Sequence, residues 1–156
     1  MSSNEMAKMD FFEVGDKTAL ICADPAIRDA VGATLRELGF KFHTAETGDT
    51  AIERTRYNNY DCILIQETFA GSSLRSNPVL AYLAPLPMAV RRYSFVCLIG
   101  PSMKTLDAMQ AFAESVQLCL NATDLPNLAA ILKKGLAEFD LRYRVYKETV
   151  AAQGER

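Results

Sequence analysis

KTALICADPAIRDAVGATLRELGFKFHTAETGDTAI, residues Lys17 to Ile52, decides the fold. Lys17 to Ala23 is an apolar run of strand length. Asp24 and Pro25 follow, an N-cap type and a residue suited to the first helical position. Ile27, Val31, Leu35 and Leu38 then recur at helical spacing, and Gly39 stands where a C-terminal glycine belongs. Phe40 to Ala45 alternates as a short strand. Thr47 and Gly48 open a second helix, with apolar marks at Ala51, Ile52 and Tyr57.

The same alternation continues outward. Asn58 and Asn59 stop the second helix, and YDCILIQETFAG (Tyr60 to Gly71) carries the third strand at Cys62 to Ile65. A turn-rich loop, Gly71 to Pro78, leads to a short helix over Pro78 to Ala84. The PLP of Pro85 to Pro87 ends it, and MAVRRY makes a further helical turn. Phe95 to Ile99 reads as a fourth strand, broken by Gly100 and Pro101. Leu106, Met109, Phe112 and Ala113 mark a fourth helix, and Val116 to Leu120 a fifth strand. Asp124 is placed to cap the last helix. Uniformly apolar strands alternating with amphipathic helices imply a parallel sheet covered on both faces. Right-handed crossovers make it doubly wound.

At 156 residues, 49% hydrophobic and 23% charged, the chain is the size and composition of one soluble globular domain. A net charge of -2, with Lys and Arg scattered, gives no electrostatic footprint for nucleic acid. Arg91-Arg92 and Lys133-Lys134 read as surface charge. No apolar run is long enough to span a membrane. The start, MSSNEMAKMD, lacks the apolar core of a signal peptide, so residues 1–16 read as a flexible lead-in. Cys22, Cys62, Cys97 and Cys119 each lie in or beside an apolar run, with spacing that suits neither zinc nor a disulfide framework. They read as buried strand thiols in a reducing cytoplasm. The lone His43 has no partner residues in sequence for a metal or catalytic role.

With those elements in order, the chain resembles the receiver domain of bacterial two-component response regulators over about residues 17 to 136. ALICADPAIRDAVGATLRELGFKFHTAETGDTAI is similar to the family's first strand, DP-type helix start, ELG-aromatic turn and second helix entry. YDCILI is similar to its third strand. The resemblance implies an α/β, flavodoxin-like (βα)5 doubly wound parallel sheet with strand order 2-1-3-4-5. A receiver phosphorylates itself on an aspartate ending strand 3, with Mg²⁺ held by an acidic pair after strand 1. That chemistry needs carboxylates as nucleophile and as hard oxygen ligands. Here the phosphoacceptor position falls on Gln66 and the acidic pair on Cys22 and Ala23. Asp24, one residue later, is best used as the helix cap. The Ser/Thr position falls on Gly100, the lysine on Asn121 and the strand-5 aromatic on Leu118. Asp24 and Glu67 are the acids left near this end.

The resemblance therefore implies a degenerate receiver, a pseudo-receiver acting through phosphorylation-independent protein contacts, with no catalytic residues, metal or cofactor. A second reading is a nucleotide or metabolite sensor that uses the vacated pocket.

Residues 137–156 go beyond the scaffold. From Leu125 an apolar stripe runs through Leu128, Leu132, Leu136, Phe139, Tyr143, Tyr146 and Val150, at spacings of three and four. The sheet covers roughly its first half. Phe139, Tyr143, Tyr146 and Val150 either pack back on the domain or form an interface with a protein partner or a second copy. The interface is the expectation carried forward, because aromatic residues and Arg favour interface cores. The Pro- and apolar-rich segment Leu74 to Tyr93 is the second candidate surface, read first as a rearranged third helix.

Overall fold

The computed structural model describes residues 12–153. Five strands, β1 (Lys17–Cys22), β2 (Phe40–Ala45), β3 (Cys62–Gln66), β4 (Phe95–Gly100) and β5 (Leu118–Asn121), form one sheet. Every pairing is parallel, and the order is β2-β1-β3-β4-β5. The helices are α1 (Pro25–Glu37), α2 (Gly48–Tyr57), α3 (Pro78–Leu83), α4 (Met88–Arg91), α5 (Ala108–Ala113) and α6 (Leu128–Ala152). This is the flavodoxin-like fold expected, with a long C-terminal helix.

Two cores lie on opposite faces of the sheet. Alternate strand residues Ala19, Ile21, Leu64 and Cys97 face Val31 and Leu35 of α1 and Leu128, Leu132 and Phe139 of α6. Leu20, Ile63, Ile65 and Leu98 face Ala51 of α2, Val79 and Leu80 of α3 and Ala111 of α5. Burial on both faces is why the interior strands β1, β3 and β4 read as apolar runs, whereas the edge strand β2 alternates.

The punctuation of α1 and α2 works as the residue types dictate. Gly39 has φ +85°, and its N–H donates to Arg36 O at 3.1 Å, closing α1. Thr47 Oγ1 accepts from Thr50 N at 3.1 Å, capping α2. Two caps differ from expectation. Asp24 stands at the N-cap of α1, but its side chain makes no capping bond. Its Oδ1 instead accepts from Ala70 N at 3.4 Å, across the loop after β3. Asp124 does not start α6. Ala122–Asn127 forms a 3-10 segment containing Pro126, and Asp124 accepts from Thr105 Oγ1. The expected apolar marks of α5 also turn outward. Leu106, Met109 and Phe112 are 66%, 77% and 81% exposed, and Ala111 alone is buried. The helix is one and a half turns long, and it begins only at Ala108.

Residues 1–11 of the expected lead-in lie outside the described residues. Residues 12–16 are tied to the sheet. Phe12 stacks on His43 at 4.2 Å, and Asp16 pairs with Lys41 at 3.0 Å. His43 is buried, with Nδ1 2.6 Å from Tyr60 Oη.

All four cysteines are free and buried. Burial pushes their thiols up, Cys119 from an ordinary 9.0 to about 11 and the other three further. The folded state holds these protons where the unfolded chain would release them. Their contribution to stability is therefore complete below pH 9.0 and falls as pH rises through 9.0 toward 11 and beyond. Iodoacetamide at pH 8 is expected to leave the native chain unlabelled and to label four thiols in urea. Labelling of the native chain at any of the four would contradict this packing.

Candidate functional site

Register aligns the carboxyl ends of the strands. Cys22 neighbours Ala45 and Ile65, Gln66 neighbours Ile99, and Gly100 neighbours Asn121. Ligands of open α/β sheets bind at this end. The six residues singled out from sequence, Cys22, Ala23, Asp24, Gln66, Gly100 and Asn121, end β1, β3, β4 and β5 or immediately follow β1.

Their polar groups are taken up by the protein itself. Gln66 Oε1 accepts from Asp24 N at 2.7 Å, and Gln66 Nε2 donates to Thr68 Oγ1 at 3.3 Å. The amide thus bridges β3 to the β1–α1 loop. Asn121 Nδ2 donates to Met103 O at 2.8 Å and to Pro101 O at 3.3 Å. Its Oδ1 accepts from Thr123 N and Thr123 Oγ1, at 3.0 and 2.7 Å. Where a lysine would carry charge to an anion, this amide stitches the β4 and β5 loops together.

Gly100 is explained by Glu67. A Cβ at position 100 would lie 2.2 Å from Glu67 Oε1 and 2.4 Å from Glu67 Cβ. Glu67 is buried, and its Oε1 accepts from Ser102 N at 3.1 Å. Its own N–H donates to Ile99 O at 2.7 Å. The Glu67 side chain occupies the volume a hydroxyl-bearing residue after β4 would use. Asn77 braces the same turn, donating from Nδ2 to Gln66 O at 3.0 Å and Glu67 O at 3.2 Å while its Oδ1 caps α3. Sequence reading noted Glu67 only as a leftover acid and missed Asn77 and Thr105. A glycine next to a strand end, facing an acid one residue past the neighbouring strand, is the signal that was present.

These donors do not fit Mg²⁺. Cys22 is a buried, neutral thiol, and Ala23 offers no side-chain ligand. One oxygen each of Asp24 and Glu67 is already bonded to a backbone N–H. Among the described residues, no group of three His, Cys, Asp or Glu side chains is placed to hold a metal.

The C-terminal stripe is corrected in part. Phe139 is buried at 6% exposure, edge-on to Phe95 at 5.5 Å and to Tyr143 at 4.9 Å. Gly135 lets α6 approach this closely, since a Cβ there would sit 2.9 Å from Phe95 Cζ. Tyr143 packs half-buried on the same core. Tyr146 lies under the Arg92 guanidinium, 4.4 Å from its ring centroid, and Lys147 stands over Tyr93 at 5.1 Å. Phe139 is thus closed off by Phe95, while Tyr143, Tyr146 and Val150 are half-buried, the last two on the wall of a cleft that faces the Leu74 to Tyr93 segment. Arg91 and Arg92, expected as plain surface charge, hold that segment. Arg91 Nη2 donates to Ser115 O at 2.6 Å. The exposed apolar residues of the extension are Leu141 and Val145, at 68% and 71%, on the other side of the helix.

Among the described residues, no helix is long and apolar enough to cross a membrane. No family model and no curated protein matches the sequence. Solved structures do. A CheY-like receiver domain protein from Methanospirillum hungatei superposes with a TM-score of 0.64 at 13% identity, over 82% of this chain and 99% of that one. A CheY-like receiver domain from Methylobacillus flagellatus gives 0.58 at 22% identity, over 78% and 99%. NtrX from Brucella abortus, solved in complex with ADP, gives 0.64 at 18% identity over 90% of this chain, which spans only 30% of that protein. Five parallel strands in order 2-1-3-4-5 with these neighbours establish the fold of the chain as that of response-regulator receiver domains.

Proposed function

We propose that this chain is a pseudo-receiver, a non-enzymatic module that signals through protein contacts independent of phosphorylation. The observation that carries the reading is the filled strand end. Gln66 bridges to Asp24 N where a nucleophilic carboxylate would stand, and Glu67 fills the space beside Gly100. An amide is a very poor nucleophile. Receiver neighbours, an orphan response regulator from H. pylori among them, support a place in signalling. Four buried free thiols suit a reducing cytoplasm. The sensor reading has less support, because the amides of Gln66 and Asn121 already have protein partners.

Exposed Leu106 and Phe112 border a groove between α5 and α6, beside the edge strand β5. Large exposed apolar side chains at one groove support a protein partner or second copy there. Sedimentation velocity on wild type and Phe112→Glu, with and without acetyl phosphate and Mg²⁺, tests both halves. Intact mass is recorded on the same samples. The expected result is no phosphoryl mass increment, an association unchanged by acetyl phosphate, and its loss in Phe112→Glu. A phosphoryl increment mapped near Gln66 would overturn the proposal. So would identical monomers for both proteins combined with partner capture equal in the two.

A further inference from the structure

The two features beyond the receiver scaffold, the Leu74 to Tyr93 segment and the end of α6, meet at one place. Between them is an open cleft of about 1050 Å³, at the amino-terminal ends of β3 and β4. It lies at the opposite end of the sheet from Gln66. Its volume lies just above the usual range of small-ligand sites, roughly 300–1,000 Å³.

The lining is aromatic and cationic. Tyr82, Tyr93 and Tyr146 supply rings, and Leu86 and Val90 supply apolar surface. Arg56, Arg91 and Lys147 supply charge. Arg56 stands 5.9 Å from the Tyr82 ring centroid, and Lys147 stands over Tyr93. Among the described residues, none of these three cations is in an ion pair. Asp140 feels Lys147 through space but is bonded to Arg144 at 2.9 Å. Among the described residues Asp61 is the one carboxylate of the lining, and its Oδ2 accepts from Thr18 N at 3.0 Å. Arg91 is bonded to Ser115 O, so Arg56 and Lys147 are the cations left facing a space whose only acid, among the described residues, is already engaged. A guanidinium or ammonium beside an aromatic wall is suited to a ligand that is flat, apolar and negatively charged.

We propose that this cleft binds a small aromatic anion, its ring against the tyrosines and its acidic group held by Arg56 and Lys147. The site is independent of how the Gln66 end is read. It would join α2 and α3 to α6 through one ligand, and so tie the Leu74 to Tyr93 segment to the C-terminal helix.

The probe is 1-anilinonaphthalene-8-sulfonate, titrated by fluorescence against native protein, with the uncharged N-phenyl-1-naphthylamine as comparator. Saturable binding at one site per chain is expected. Arg56→Gln/Lys147→Gln should weaken the sulfonate dye about tenfold, since it removes two charge-assisted contacts. It should leave the neutral dye within about twofold, as surface substitutions usually do. Val90→Trp, at an exposed position of the wall, should weaken both dyes. Circular dichroism establishes that each variant is folded. Absence of saturable binding, equal loss of both dyes in the charge variant, or indifference to Val90→Trp would each overturn the proposal.

Discussion

Gly100→Ala should lose about 2–3 kcal/mol of unfolding free energy, a large cost for adding one methyl group. Gly100 does not need glycine for its backbone, because its φ lies outside the left-handed region. The contact requires it. The new Cβ would meet the Glu67 side chain at both its far end, 2.2 Å from Oε1, and its root, 2.4 Å from Cβ. A flexible carboxylate can swing aside, but Cβ cannot move without the backbone, which is held by Glu67 N donating to Ile99 O. A double-mutant cycle in urea separates these contributions. In a Glu67→Gly background, Gly100→Ala should cost under about 1 kcal/mol, because the collision is gone. In a Glu67→Ala background the cost should stay intermediate, because Cβ remains. The same cost in all three backgrounds would show that Glu67 is not what excludes a side chain at position 100. The cycle bears directly on function. An aspartate placed at position 66 would leave the space beside Gly100, at the end of β4, still filled by Glu67.

Phe139→Ala should destabilise the fold by about 3–4 kcal/mol, as truncation of a buried aromatic does. Phe139 fills the space between Phe95 at the start of β4 and Tyr143 on its own helix. Against a total stability of about 5–15 kcal/mol this is a large fraction. Tyr146→Ala should cost about 1 kcal/mol or less, because it loses mainly a half-exposed stacking with Arg92. Chemical denaturation of both variants gives the comparison. If Phe139→Ala kept wild-type stability while changing only self-association, the residue would be an interface anchor. Packing on Phe95 would then not be its role.

These two residues mark the border between what was legible in the sequence and what was not. The sheet was legible because each strand is a short apolar run and each crossover carries its own punctuation, as at Thr47 and Gly39. The residues at the carboxyl ends of the strands were legible because they depend only on where each apolar run stops. Gln66, Gly100 and Asn121 fall there by counting. The short α5 was misjudged, because Leu106, Met109 and Phe112 keep helical spacing without a helix long enough to bury them.

The sequence by itself determined the parallel α/β sheet, its strand ends and the absence of a carboxylate at position 66. These are properties of local periodicity and of position along the chain. Tertiary structure alone decided that Glu67 fills the space beside Gly100, that Asp24 holds a loop instead of capping its helix, and that Phe139 is buried while Tyr143, Tyr146 and Val150 are half-buried. Periodicity states which residues share a face of a helix. What covers that face depends on contacts between segments far apart in sequence, here Phe95 with Phe139 and Arg92 with Tyr146.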